Sequence, residues 1–139
     1  MSLASLRCYC ASLQLATDVY ALVKRWPIID RDTLGKQLIR ASDSIALNIA
    51  EGYGRTGPGE RLHSLLIADG SCQEVVAQLQ LAALRGLISQ DELQRQANMA
   101  KSTSIQMFAF ARYILSQHPE YQGRSRKIIE KRTAWMNKK

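Results

Sequence analysis

Three glycines pose the first chemical question. Gly52, Gly54 and Gly57 spell G-x-G-x-x-G, the pattern in which a tight turn lets backbone N–H groups approach a dinucleotide pyrophosphate. That chemistry needs a strand before the glycines and a helix opening after them, so that the phosphates meet the helix N-terminus. Here a long run of helical periodicity precedes Gly52, and Pro58 follows Gly57 directly. The glycines are therefore expected to end one helix, with Pro58 in the first turn of the next, where its missing N–H costs nothing.

Metal and nucleophilic chemistry are no better supported. The three cysteines are Cys8, Cys10 and Cys72. Two residues apart means roughly 200° around a helix, so Cys8 and Cys10 cannot share a metal. Three thiols buried in a helical core are the expectation. His63 and His118 fall on different helices, and neither sits in the inward Glu-x-x-His arrangement of di-metal bundles. A nucleophile–base pair is equally hard to assemble from two such histidines. We expect no catalytic residue, no metal, no cofactor and no enzyme.

What remains is binding. Leu34, Leu38, Ala41, Ile45, Ile49 and Gly52 share one helical face, and Arg40, Ser44, Asn48, Glu51 and Arg55 form a polar stripe along its flank. Two readings stay open. The stripe can tie helices together: Glu51 with Arg55 as an i,i+4 pair, Arg40 with Asp43 or Asp69, and Ser44 and Asn48 on loop backbone. Alternatively, Arg40 and Arg55 contact phosphate. A second basic group lies at the far end, where Arg124, Arg126, Lys127, Lys131, Arg132, Lys138 and Lys139 face only Glu120 and Glu130. Of the formal net charge of +7, that segment holds 7 − 2 = +5. A basic tail on a nearly balanced body suggests an RNA or DNA backbone as partner, against a merely solvated tail.

These groups need elements to position them. Leu6, Cys10, Leu13, Ala16, Tyr20 and Val23 predict a first helix over about 3–25, ended by Trp26-Pro27. Asp30 or Asp32 is expected to cap a second, running to Gly52 or Gly54. A third opens at Pro58 and runs to about Arg85, with Leu62, Leu65, Leu66, Cys72, Val76, Leu79 and Ala83 on its apolar face. Asp69 also falls inside that face and needs either a partner or a place at the rim. Gly86 supplies the stop, and Ser89 with Glu92 forms a capping box flanked by Ile88 and Leu93 as a hydrophobic staple. The fourth helix carries Leu93, Ala97, Ala100, Met107, Phe108, Ala111, Ile114 and Leu115 and stops near His118-Pro119. Gly123 then leaves room for a short fifth helix, in which Arg124, Lys127 and Lys131 share a face. The fold class is all-α: an antiparallel up-down-up-down four-helix bundle over 1–117 and a basic C-terminal tail over 118–139. No window reaches the roughly 20 apolar residues of a membrane span, and no signal pattern opens the chain, so a reduced, cytoplasmic protein without membrane contact is expected.

The stretch Arg40-Ala41, Ser44-Ile45, Asn48-Ile49-Ala50-Glu51-Gly52, Gly54-Arg55 fits R-A-x-x-S-I-x-x-N-I-A-E-G-x-G-R, and Ile67-Ala68, Gly70-Ser71 and Glu74 fit I-A-x-G-S-x-x-E. On these residues the chain resembles the bacterial four-helix-bundle proteins of large-subunit (23S) rRNA intervening sequences, formerly named S23 ribosomal proteins. The resemblance spans about residues 10–117. It implies a homopentamer of bundles with no catalytic site and a role with nucleic acid. A similar fold serves as the accessory variability protein of diversity-generating retroelements, which binds a reverse transcriptase and its RNA. The expected function is thus an oligomeric RNA-binding scaffold. The alternatives are a reverse-transcriptase accessory protein and a protein-interaction bundle with no nucleic-acid role.

Overall fold

The computed structural model describes residues 2–137 and places most of them in helices. A 3-10 turn (Leu3–Ser5) leads into α1 (Arg7–Val23), and a single turn α2 (Ile28–Asp30) passes through a π-helical turn (Arg31–Gly35) into α3 (Lys36–Gly54). Then come α4 (Pro58–Leu84), α5 (Gln90–Gln117), α6 (Arg124–Arg132) and a last 3-10 turn (Ala134–Asn137). No strand occurs among the described residues. The long helices close a ring: α3 packs on α1 and α4, and α5 packs on α4 and α1. Their connections at 24–27 (continued by α2), 55–57 and 85–89 are too short for parallel neighbours, so the expected up-down-up-down bundle forms.

The expected seam of α3, from Leu34 to Gly52, is buried along its length. It meets Leu15 and Val19 of α1, Leu62, Leu65, Val75 and Leu79 of α4, and Met107 and Ile114 of α5 in one core cluster. The predicted stripe of α1 needs correction. Cys10, Leu13 and Tyr20 are exposed, and the buried line is Cys8, Ser12, Leu15, Val19 and Leu22, continued by Trp26. Both ridges of α1 are apolar, and the inner one carries Ser12 only because its hydroxyl donates to the Tyr9 carbonyl at 2.6 Å.

The helix signals hold at two of the three junctions between the long helices. Pro58 is the first residue of α4 after Gly57 as N-cap. Gly86 takes φ 73°, and Leu87 N–H donates to Ala82 O at 2.9 Å and Gly86 N–H to Ala83 O at 3.0 Å, a Schellman stop. The capping box of α5 is formed: Glu92 N–H donates to Ser89 Oγ at 3.1 Å and Ser89 N–H to Glu92 Oε1 at 2.9 Å. That backbone donor, with Arg25 at 3.0 Å, holds the Glu92 carboxyl below its ordinary range. The first junction differs from expectation. Pro27 caps α2, so neither Asp30 nor Asp32 does, and the chain is helical from Ile28. Gly35 in the π turn lies so close to α1 that a Cβ there would meet Val23 Cγ1 at 2.6 Å.

The thiols divide. Burial pushes Cys8 up to about 11 and Cys72 up to about 12, whereas Cys10 is exposed, against the expectation of three buried thiols. A thiol reagent at about pH 8 should therefore modify one cysteine per native chain and all three after denaturation. Reaction of all three in the native protein would mean that the bundle opens readily.

Candidate nucleic-acid interface

The basic tail is a structural element. Gly123 caps α6, and Ser125, Ile129 and Thr133, spaced by four, turn inward and are buried, Ile129 completely. The helix lies on α4 and α5. Directly opposite that stripe, Arg124, Lys127 and Lys131 share the outward face, as expected, and all three are exposed. They form a ridge of cations about 10 Å long at 1.5 Å per residue.

The other two described cations of the tail hold it down. Arg126 lies across the end of α5: Nη2 donates to His118 O at 2.9 Å and Leu115 O at 3.2 Å, Nε donates to Tyr121 O, and Nη1 pairs with Glu130 at 3.1 Å. Cations are favoured there because the last carbonyls of a helix lack partners. Arg132 pairs through Nη1 with Asp69 Oδ2. Asp69, 3% exposed, also accepts from Ser104 Oγ at 2.7 Å and Gln73 Nε2 at 3.1 Å. The misplaced acid of α4 is thus the anchor of the C-terminal helix, and its partner is Arg132 rather than Arg40. Of the expected nucleic-acid contacts, Arg124, Lys127 and Lys131 stand free toward solvent, and Arg126 and Arg132 are engaged in the fold. Lys138 and Lys139 lie outside the described residues.

The polar stripe of α3 works mainly between and along helices. Ser71 Oγ of α4 donates to Ser44 Oγ at 3.0 Å, and Asn48 Nδ2 donates to Ser44 O at 2.9 Å and Oγ at 3.0 Å. Neither Ser44 nor Asn48 reaches a loop, contrary to expectation. Glu51 pairs with Arg55 at 2.8 Å, as expected, and Arg40 is exposed. Gly52 marks a close approach of α3 to α4: a Cβ would lie 3.0 Å from the Arg61 carbonyl oxygen, and Arg61 Nε donates to Gly52 O at 3.0 Å. The glycine pattern is therefore a helix contact and a helix end, with Gly54 the last residue of α3. Gly70 and Glu74 are exposed, and nothing lies within 4 Å of where a Cβ on Gly70 would be. No cluster of His, Cys, Asp and Glu that could hold a metal occurs among the described residues.

Sequence reasoning missed the anchoring by Arg126 and Arg132. For Arg132 the signal was Asp69, an acid on an apolar face that needed either a partner or a place at the rim; Arg126 had no such signal.

A sequence model of the family described as 23S rRNA-intervening sequence protein matches residues 4–108. Among solved structures, the chain is similar to a protein of unknown function from the S23 ribosomal protein family of Bacteroides thetaiotaomicron. The TM-score is 0.68 at 19% identity, covering 76% of this chain and 95% of that one. No curated protein matches the chain in sequence. No helix among the described residues is long and apolar enough to cross a membrane.

Proposed function

Since the chain belongs to the 23S rRNA-intervening sequence protein family, we propose that it is a non-enzymatic scaffold that binds RNA through the backbone and works as an assembly of several copies. The carrying observation is the ridge of Arg124, Lys127 and Lys131, exposed and in line on a helix that is fastened to the bundle. Three fixed cations can neutralise phosphates and release counterions, and they read no sequence. Self-association is supported by Leu47 and Ile67, exposed by 68% and 44% on α3 and α4, and by Gly70 on the same helix as Ile67. A glycine in a helix interior costs about 1 kcal/mol relative to alanine, and a second backbone packed against it would account for that cost.

The test is binding of a structured RNA as salt rises. The wild-type affinity should fall steeply between low and moderate salt. Reversing the ridge (Arg124→Glu, Lys127→Glu, Lys131→Glu) should flatten the slope of log affinity against log salt by roughly 2–3 for each ridge that contacts RNA. Affinity that is tight and insensitive to salt, or absent at low salt, would refute the proposal.

A further inference from the structure

A groove opens beside the end of α6. It runs between α4 and α5, is closed on one side by Arg132 and Trp135, and encloses about 540 Å³. Cys72 and Phe108 are buried in its floor, while Trp135 and Ile105 stand at its edges, 54% and 49% exposed. The lining is largely apolar, with a few polar groups: Lys101 and Ser104 from α5, Gln73 and Asp69 from α4, and Arg132.

An exposed indole over an apolar slot, with Lys101 at its edge and Arg132 only partly engaged by Asp69, fits a flat heteroaromatic group attached to a negative charge. Its hydrogen-bonding capacity is only partly used. The contact with Asp69 takes Nη1 of Arg132, leaving Nε and Nη2 as donors on a side chain that is 49% exposed. The Ser104 hydroxyl donates to Asp69 and keeps its lone pairs, and the Gln73 amide uses one N–H. The groove is bordered by the end of α6, since Arg132 is its last residue and Trp135 lies in the turn that follows.

Resting on the RNA-binding reading above, we propose that this groove takes one unpaired nucleobase of the bound RNA, stacked on Trp135, with Lys101 and Arg132 at the adjoining phosphates. A paired base cannot leave its stack without the cost of unpairing, so the site distinguishes single-stranded from duplex segments. An aromatic side chain of a protein would fill the apolar lining but leave Lys101 without a counter-charge and the free N–H groups of Arg132 without an acceptor, with the cations of α6 equally idle.

The experiment compares single-stranded oligoadenylate with a blunt RNA duplex of matched length, followed by tryptophan emission and by affinity. The single strand should quench the emission. Trp135→Ala should lose about tenfold or more in affinity for it, since base stacking on one aromatic is commonly worth that much. Duplex binding should stay unchanged. Trp135→Phe should keep the affinity and lose the quenching, which assigns the signal to this residue rather than to the buried Trp26. Lys101→Glu, on α5 and outside the C-terminal helix, should also weaken the single strand more than the duplex, which separates a ligand contact from a disturbed fold. Equal binding of both RNAs, unaffected by Trp135→Ala, would overturn the groove proposal and leave backbone binding by the ridge intact. Equal losses for both RNAs in the Trp135 and Lys101 variants would also overturn it. Binding of neither RNA at low salt would refute the RNA-binding reading itself, and the groove proposal with it.

Discussion

Replacing Ile129 by aspartate is expected to release α6 from a bundle that stays folded. Nine residues are too few to hold a helix in water alone, so α6 exists through its attachments. Ile129 is completely buried, and truncating such a side chain even to alanine costs about 2–5 kcal/mol. A carboxylate in its place adds the penalty of an unpaired buried charge. The attachments that remain, Arg126 on the end of α5 and Arg132 on Asp69, cannot make up that difference. The loss should be local, because α6 packs mainly on α4 and α5 and lies beyond the family-matched residues 4–108. Limited proteolysis should then cut within 118–123, the main thermal transition of the bundle should persist, and RNA affinity should fall. Cooperative loss of the whole fold would show instead that α6 belongs to the folding unit of the bundle. Arg132→Ala should act in the same direction more weakly, by about 1–2 kcal/mol. It leaves Asp69 without a counter-charge, but solvent already screens a guanidinium that is 49% exposed.

The second large effect separates two glycines of the family signature. Gly52→Val should destabilise the subunit by about 3 kcal/mol or more. Its Cβ would stand 3.0 Å from both the Arg61 carbonyl oxygen and Leu65 Cδ2. A backbone oxygen fixed in α4 cannot step aside, and a branched side chain adds two further methyls to the clash. The contact it would break also orients Arg61, whose guanidinium lies 5.8 Å from the ring centre of Phe110, on which Tyr53 stacks at 6.4 Å. Gly70→Ala should do the opposite. With nothing within 4 Å of the added carbon, the isolated subunit should gain about 1 kcal/mol from helix propensity. If copies associate through this face, the same substitution should weaken the assembly, visible as a lower mass in solution. A more stable subunit with an unchanged mass would place the association elsewhere.

The sequence made some of this plain and hid the rest, for physical reasons. The seam of α3, the Schellman stop at Gly86 and the Ser89–Glu92 box were legible because each is decided within a turn or two of chain. The inner face of α1 was not. Its two ridges are both apolar, and only the packing of α3 and α5 chooses between Leu13 with Tyr20 and Leu15 with Val19. The candidate interface was half legible. The outward line of Arg124, Lys127 and Lys131 follows from helical spacing, but the duty of Arg132 depends on Asp69, 63 positions away. Periodicity identifies a carboxylate that needs a partner without saying which part of the chain will supply it.

The seat of α6 on α4 and α5 also makes the molecule electrically lopsided. Three outward cations sit on one flank, and the flank formed by α1 and α3 lies away from them. A polyanion approaching through solvent would feel that asymmetry before any contact forms and would turn the molecule to meet it flank-first. The torque reaches only about a Debye length, roughly 8 Å at physiological ionic strength, so it governs the last steps of an encounter rather than the search. Capture in that orientation would leave α1 and most of α3 facing away from the polyanion, so the surface that meets it first and the surface left over for other macromolecules would be sorted by the field, before any fit is tried.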